Sequence, residues 1–201
     1  MENGKSSLEV QLTDGTTIDL VPKSMYVILE NESKPDENRP DLGYSKIIVP
    51  WAKQDKPYLL ITTVRPDVLE KFGVDKIKQE DYMRLTPAVE ETDSYTTIPI
   101  DKAPQICNVI AKWGKTHGDA ESIVYIDKFA FQEFVTTHNM KQTQNTIKSI
   151  IQEIEKTGKI LVLSIDPRAY EEETYKPSLR QLVTLARSTG GCELDEARIK
   201  Y

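Results

Sequence analysis

Short apolar runs alternate with longer amphipathic stretches along this chain, and the pattern is densest over Ser122–Pro167. There Ile123-Val124-Tyr125-Ile126-Asp127 is followed by an amphipathic stretch from about Gln132 to Lys156. Ile160-Leu161-Val162-Leu163-Ser164-Ile165-Asp166-Pro167 then follows. Two apolar runs joined by a helix-length segment predict parallel strands with a crossover helix. Ile147, Ile150, Ile151 and Ile154 make one stripe of that helix, and Lys148, Gln152, Glu153 and Lys156 lie opposite. The stripe reads as core, and Gly158 is placed to cap the helix end.

The same patterns extend outward. Leu8–Leu12 and Thr17–Val21 alternate apolar and polar residues around Asp14-Gly15, which predicts a β-hairpin. Ser24–Leu29 and Tyr58–Thr63 read as buried strands, and Asp81–Thr86 as a shorter one. Between them, Glu30–Leu42 is charged, carries Pro35 and Pro40, and reads as loop. Tyr44–Trp51 is expected to be a short extended segment that Pro50 stops. Pro66–Phe72 predicts a short helix ending at Gly73. The threonine-rich Ala88–Asp101 reads as loop, and Lys102–Lys115 as a helix with Ile106, Val109, Ile110 and Trp113 on its apolar face. Pro177–Ala186 predicts a last helix, broken by Gly190-Gly191, and Cys192–Tyr201 a short edge strand or tail.

These elements predict an α/β protein with a mostly parallel central sheet and flanking helices. A small hairpin appendage over residues 1–23 precedes a single α/β domain over 24–201. There is no internal repeat and no low-complexity tract.

Composition narrows the function classes. The chain has 201 residues, enough for one domain with a core of its own, and a formal net charge of −6. An acidic chain without clustered Lys and Arg is a poor fit for nucleic acid or an anionic membrane. Two cysteines, Cys107 and Cys192, and two histidines, His117 and His138, are too few and too scattered for a structural zinc site. No stretch reaches the ~18 apolar residues of a membrane span. The start, Met1–Ser7, lacks a signal-peptide pattern, so a cytoplasmic location with free thiols is expected.

Candidate chemistry gathers at strand ends, because ligands of open α/β sheets bind beyond the carboxyl edge. Ile123–Asp127 has the form of a Walker B strand, whose acid holds Mg²⁺ or its water. The Gly-rich phosphate loop that such an acid works with is missing. Gly4-Lys5-Ser6 has no strand before it, and Glu30–Pro35, after the first buried strand, has no glycine and two acids. Arg65, between a strand and Pro66, suits bidentate contact with a carboxylate or phosphate, or an ion pair with Asp127, Asp166 or another local acid. Asp166 before Pro167 reads as a turn or cap residue. It pairs with Asp127 only if their strands are neighbours. His117 and His138 read as surface or capping residues, and Glu171–Glu173 as a solvated helix start.

Tyr58–Arg65 followed by Pro66, Ile123–Asp127, His138-Asn139 and Ser164–Pro167 occur in a familiar order. Over roughly Ser24–Ala186 the chain resembles an archaeal domain-of-unknown-function family, number 835. That family is a degenerate relative of the RecA/KaiC ATPase core, often attached to PAS and histidine-kinase modules. The resemblance implies a RecA-like sheet that kept the Walker B-like strand and lost the phosphate loop. It makes Arg65, Asp127, Asn139 and Asp166 candidate ligand-binding positions and supplies no catalytic residue. The expected function is a non-catalytic, protein-binding adaptor or regulator in archaeal signalling, without cofactor, and able to self-associate. The alternative is a nucleotide sensor or Mg²⁺–nucleotide-dependent enzyme that uses Asp127.

Overall fold

A computed structural model describes residues 9–11, 14–29, 43–74, 77–78, 81–86, 96–99, 105–118, 121–137, 140–166 and 176–195. The N-terminal hairpin pairs β1 (Glu9–Gln11) with β2 (Thr17–Asp19) in antiparallel register. Gly15 turns it at φ +86°, and the Asp14 carboxylate accepts from the Thr16 amide at 2.9 Å and the Thr16 hydroxyl at 2.6 Å. The other strands are β3 (Met25–Leu29), β4 (Tyr58–Thr62), β5 (Tyr82–Thr86), β6 (Thr96–Pro99), β7 (Ile123–Ile126), β8 (Ile160–Ile165) and β9 (Glu193–Asp195). They form one seven-stranded sheet in the order β6-β5-β4-β7-β8-β3-β9, and every ladder in it is parallel. The helices are α1 (Val49–Ala52), α2 (Pro66–Lys71), α3 (Gln105–Thr116), α4 (Lys128–Thr137), α5 (Met140–Thr157) and α6 (Lys176–Ser188).

Side chains alternate across each strand, so the near-continuous apolar runs feed two cores. Val124, Ile126, Leu161, Leu163 and Ile165 join a core built with Ile106, Ile110 and Trp113 of α3, Ala130 and Phe131 of α4, the Ile147–Ile154 stripe of α5, and Leu182 of α6. Ile123, Tyr125, Ile160 and Val162 face the other way, onto Tyr44, Ile47, Ile48, Trp51, Leu69 and the hairpin residues Val10 and Leu20. From β3 the chain steps to β4, β5 and β6 with α1 and α2 on one face. It returns through β7, β8 and β9 with α3 to α6 on the other face. A uniform right-handed crossover requires this change of face when the direction reverses.

The hairpin is tied to β3. The Tyr26 hydroxyl, on β3, accepts from the Val21 amide at 2.9 Å and donates to the Asp19 carbonyl at 3.1 Å.

Three elements differ from the sequence expectation. Tyr44–Trp51 is helical, a π-helical turn over Tyr44–Ile48 running into α1. Its buried residues Tyr44, Ile47, Ile48 and Trp51 follow the spacing i, i+3, i+4, i+7, and Pro50 lies in the first turn of α1, where no amide donor is needed. Thr96–Pro99, expected as loop, is the edge strand β6, and its Pro99 closes a strand where a missing donor is tolerated. The crossover holds two helices, and the first begins at Lys128, because Asp127 caps it. The expected loop 30–42 lies outside the described residues, as do His138, Asn139 and Glu171–Glu173.

The amino ends of the strands carry a polar tie. The buried Lys159 ammonium donates to the His117 and Gly118 carbonyls, both at 3.0 Å, and so satisfies the end of α3. The Trp113 indole N–H donates to Asp81 at 2.9 Å, and His117 lies with its ring centroid 4.5 Å from that of Trp113.

Candidate functional site

Strands β4 and β7 are neighbours whose following segments leave toward opposite faces. Such a switch point at the carboxyl edge is where open α/β sheets bind ligands. Register fixes what stands there. Ile61 is opposite Ile126, and Ile126 is opposite Leu163, so Thr62, Asp127 and Ser164 form one row across β4, β7 and β8. All three are buried and point to the same face as Tyr125 and Val162.

Asp127 is 0% exposed and is the hub of this row. Its Oδ2 accepts from the Tyr44 hydroxyl at 2.6 Å and from the Thr62 hydroxyl. Its Oδ1 accepts from the Ala130 amide at 2.8 Å, which makes Asp127 the N-cap of α4. The Thr62 oxygen in turn accepts from the Val64 amide at 2.9 Å. Burial pushes the Asp127 carboxyl up to about 6, while the bonds from Thr62, Tyr44 and Ala130 and the charge of Lys128 pull the other way. Ser164 Oγ is buried with no hydrogen-bond partner among the described residues.

Tyr44 is held on both sides. Its ring meets Tyr125 edge-on at 5.1 Å and Phe72, just after α2, at 5.8 Å. Gly43 lies directly on the Tyr125 hydroxyl, where a Cβ would come within 2.0 Å of the oxygen. The π-helical turn thus enters the edge through a passage that only glycine fits.

The sequence-based candidates separate in space. Asp127 is central and closed in. Arg65 precedes α2, its side chain is 70% exposed, and its Nε lies 3.3 Å from Asp67 Oδ1, so its ion-pair partner is another local acid and neither Asp127 nor Asp166. Asp166 follows a neighbouring strand, but Ser164 is the residue opposite Asp127, and Asp166 is not among the groups bonded to it. Asn139 lies outside the described residues. Among the described residues, no group of three or more His, Cys, Asp or Glu is placed to hold a metal. No described helix is long and apolar enough to cross a membrane.

Sequence reasoning missed Tyr44, Thr62 and Ser164. A signal was present: Tyr58-Leu59-Leu60-Ile61-Thr62, Ile123-Val124-Tyr125-Ile126-Asp127 and Ile160-Leu161-Val162-Leu163-Ser164 each turn polar at the fifth position. Parallel pairing in register places those fifth positions side by side.

No family model matches the sequence, and no curated protein matches it. Among the solved structures that share the fold are two from one archaeon. PH0250 from Pyrococcus horikoshii OT3 aligns with a TM-score of 0.53 at 7% identity, covering 87% of this chain and 82% of that one. PH0321 from Pyrococcus horikoshii, an uncharacterized protein in complex with an unknown peptide, aligns with a TM-score of 0.51 at 13% identity, covering 82% of this chain and 75% of that one. At such identities the likeness is one of fold.

Proposed function

We propose that this chain is a non-catalytic, protein-binding adaptor or regulator, built on a RecA-like sheet without a phosphate loop. The observation that carries the reading is the engagement of Asp127. A Walker B acid has to be ionised and open toward a metal–nucleotide pair. Asp127 is buried, and its two oxygens take three donors from Tyr44, Thr62 and Ala130. It acts as a cap and a tie between elements. The strand order supports the RecA-like part of the reading, since β8 separates the Walker B-like strand β7 from the first strand of the domain, β3. The peptide bound by PH0321 supports the protein-binding part, because a protein of this fold takes a polypeptide ligand. Archaeal signalling remains the setting that the family resemblance implies.

The alternative is a nucleotide sensor or Mg²⁺-dependent enzyme. It is favoured by the position of Asp127 at a switch point. Calorimetric titration with ATP, GTP and a cyclic nucleotide, each with Mg²⁺, separates the two. The adaptor reading expects no heat at millimolar ligand. Saturable binding at micromolar level, about −8 kcal/mol, lost in Asp127→Asn, overturns it.

A further inference from the structure

Among the described residues, the row Thr62–Asp127–Ser164 contains one hydroxyl without a bond. Ser164 Oγ is buried and unpartnered among the described residues, and it stands opposite Asp127 on the adjacent strand. Neighbouring strands are about 4.8 Å apart, so the two positions are adjacent across the ladder. A buried hydroxyl without a bond is costly, and a second state of the site that bonds it is favoured accordingly.

Asp127 has such a second state. As a carboxylate it accepts three bonds and donates none. With a proton from solvent on one oxygen, the carboxyl gains one O–H donor, and on the adjacent strand Ser164 Oγ is a buried acceptor without a bond among the described residues. The same proton removes the charge that makes the bonds from Tyr44 and Thr62 strong. Among the described residues, the groups facing Asp127 are few. Tyr44 comes from the π-helical turn, Thr62 from β4, the Ala130 amide and the Lys128 charge from α4, and Ser164 from β8. The end of α2 approaches through Phe72, which is apolar, and Arg65 is turned to Asp67.

We propose that Asp127 and Ser164 form a proton-linked latch: proton uptake by Asp127 makes a bond to Ser164 and loosens the hold on Tyr44, so that the attachment of Tyr44–Ala52 to the carboxyl edge follows pH. The latch spans the two faces of the sheet, because Tyr44 leads into α1 on one face and Asp127 caps α4 on the other. It offers a means by which acidification reshapes the edge without a bound ligand.

Burial supports the proposal, since it moves Asp127 titration from near 4 up to about 6. A folded-state value above the unfolded one favours the protonated native state. The proton-linked stabilisation is complete below about pH 4 and is lost as pH rises through about 6. A displacement of about two units corresponds to roughly a hundred-fold change in the folding equilibrium.

The test is urea unfolding of the full chain between pH 4 and 8 for the wild type, Asp127→Asn and Ser164→Ala, with ¹³C NMR titration of the Asp127 carboxyl. The difference between wild type and Asp127→Asn is expected to change about a hundred-fold across the window. Ser164→Ala is expected to lower the carboxyl midpoint by removing the acceptor of the protonated form. If Asp127→Asn does not fold, the wild-type and Ser164→Ala titrations decide. An Asp127 midpoint below 4.5, or a midpoint that Ser164→Ala leaves in place, overturns the latch.

Discussion

Thr62 ends β4 and Asp127 follows β7, and the two stand opposite each other in register with the threonine hydroxyl donating to the carboxylate. This one bond closes the switch point of the sheet. It joins a strand whose chain leaves toward one face to a strand whose chain leaves toward the other. With Tyr44 on the same oxygen, it ties the end of β7 to β4 and to the π-helical turn.

Asp127→Ala removes the α4 cap and leaves the Tyr44 and Thr62 hydroxyls and the Ala130 amide without their acceptor. A cap is worth about 1 kcal/mol and each stranded buried group about 1–3 kcal/mol, so a loss of at least ~3 kcal/mol is expected. Asp127→Asn keeps an acceptor for Ala130 and avoids burying a charge, and is expected to stay within about 1 kcal/mol of the wild type at pH 7. Chemical denaturation of the two variants side by side checks the contrast.

Tyr44→Phe keeps the ring packing against Tyr125 and Phe72 and deletes one donor to a buried carboxylate. Bonds to charged groups are worth roughly 1.5–3 kcal/mol, which sets the expected cost at neutral pH. The loss shrinks at pH 4, where Asp127, titrating at about 6, is neutral. Equal losses at pH 4 and pH 7 contradict the assignment of this bond to the ionised form.

Gly191→Ala tests how β9 docks. A Cβ at Gly191 would come within 1.7 Å of the Met25 carbonyl oxygen, which is backbone and cannot rotate aside. Next to it, the Val27 amide donates to the Cys192 carbonyl at 3.1 Å, so the clash opens the β3–β9 ladder. A destabilisation of about 3 kcal/mol or more is expected. Amide hydrogen exchange is expected to rise first at Val27.

Lys159→Met retains the aliphatic stem and strips the His117 and Gly118 carbonyls of their donor. The expected cost is roughly 3 kcal/mol, read from thermal unfolding. Arg65→Ala is the counterpart on the surface. With an exposed side chain and one partner at 3.3 Å, it is expected to change stability by less than about 0.5 kcal/mol.

Much of the fold was legible because burial imposes a period. The apolar runs at Met25–Leu29, Tyr58–Thr62, Ile123–Ile126 and Ile160–Ile165 are strands, and the Ile147–Ile154 stripe is core. The Asp14-Gly15 turn and the Gly73 helix end followed from backbone conformations that glycine adopts freely, at φ +86° and +85°. Tyr44–Trp51 reads as extended because Pro50 signals a stop, yet Tyr44, Ile47, Ile48 and Trp51 have helical spacing and the segment is helical. Of the site, Asp127 was legible as an acid at a strand end. Its partners were not, because Tyr44 and Thr62 lie 83 and 65 residues away in sequence.

The sequence by itself determined the α/β class, the parallel core strands and the hairpin, since hydrophobic period and turn chemistry are local properties. Only the tertiary structure decided what Asp127 is bonded to. A carboxylate's chemistry depends on its solvation and its donors, and both come from strands and turns that meet only when the sheet assembles. The same assembly placed Ser164 opposite Asp127, left Arg65 outside, and turned three unremarkable strand endings into one buried polar row.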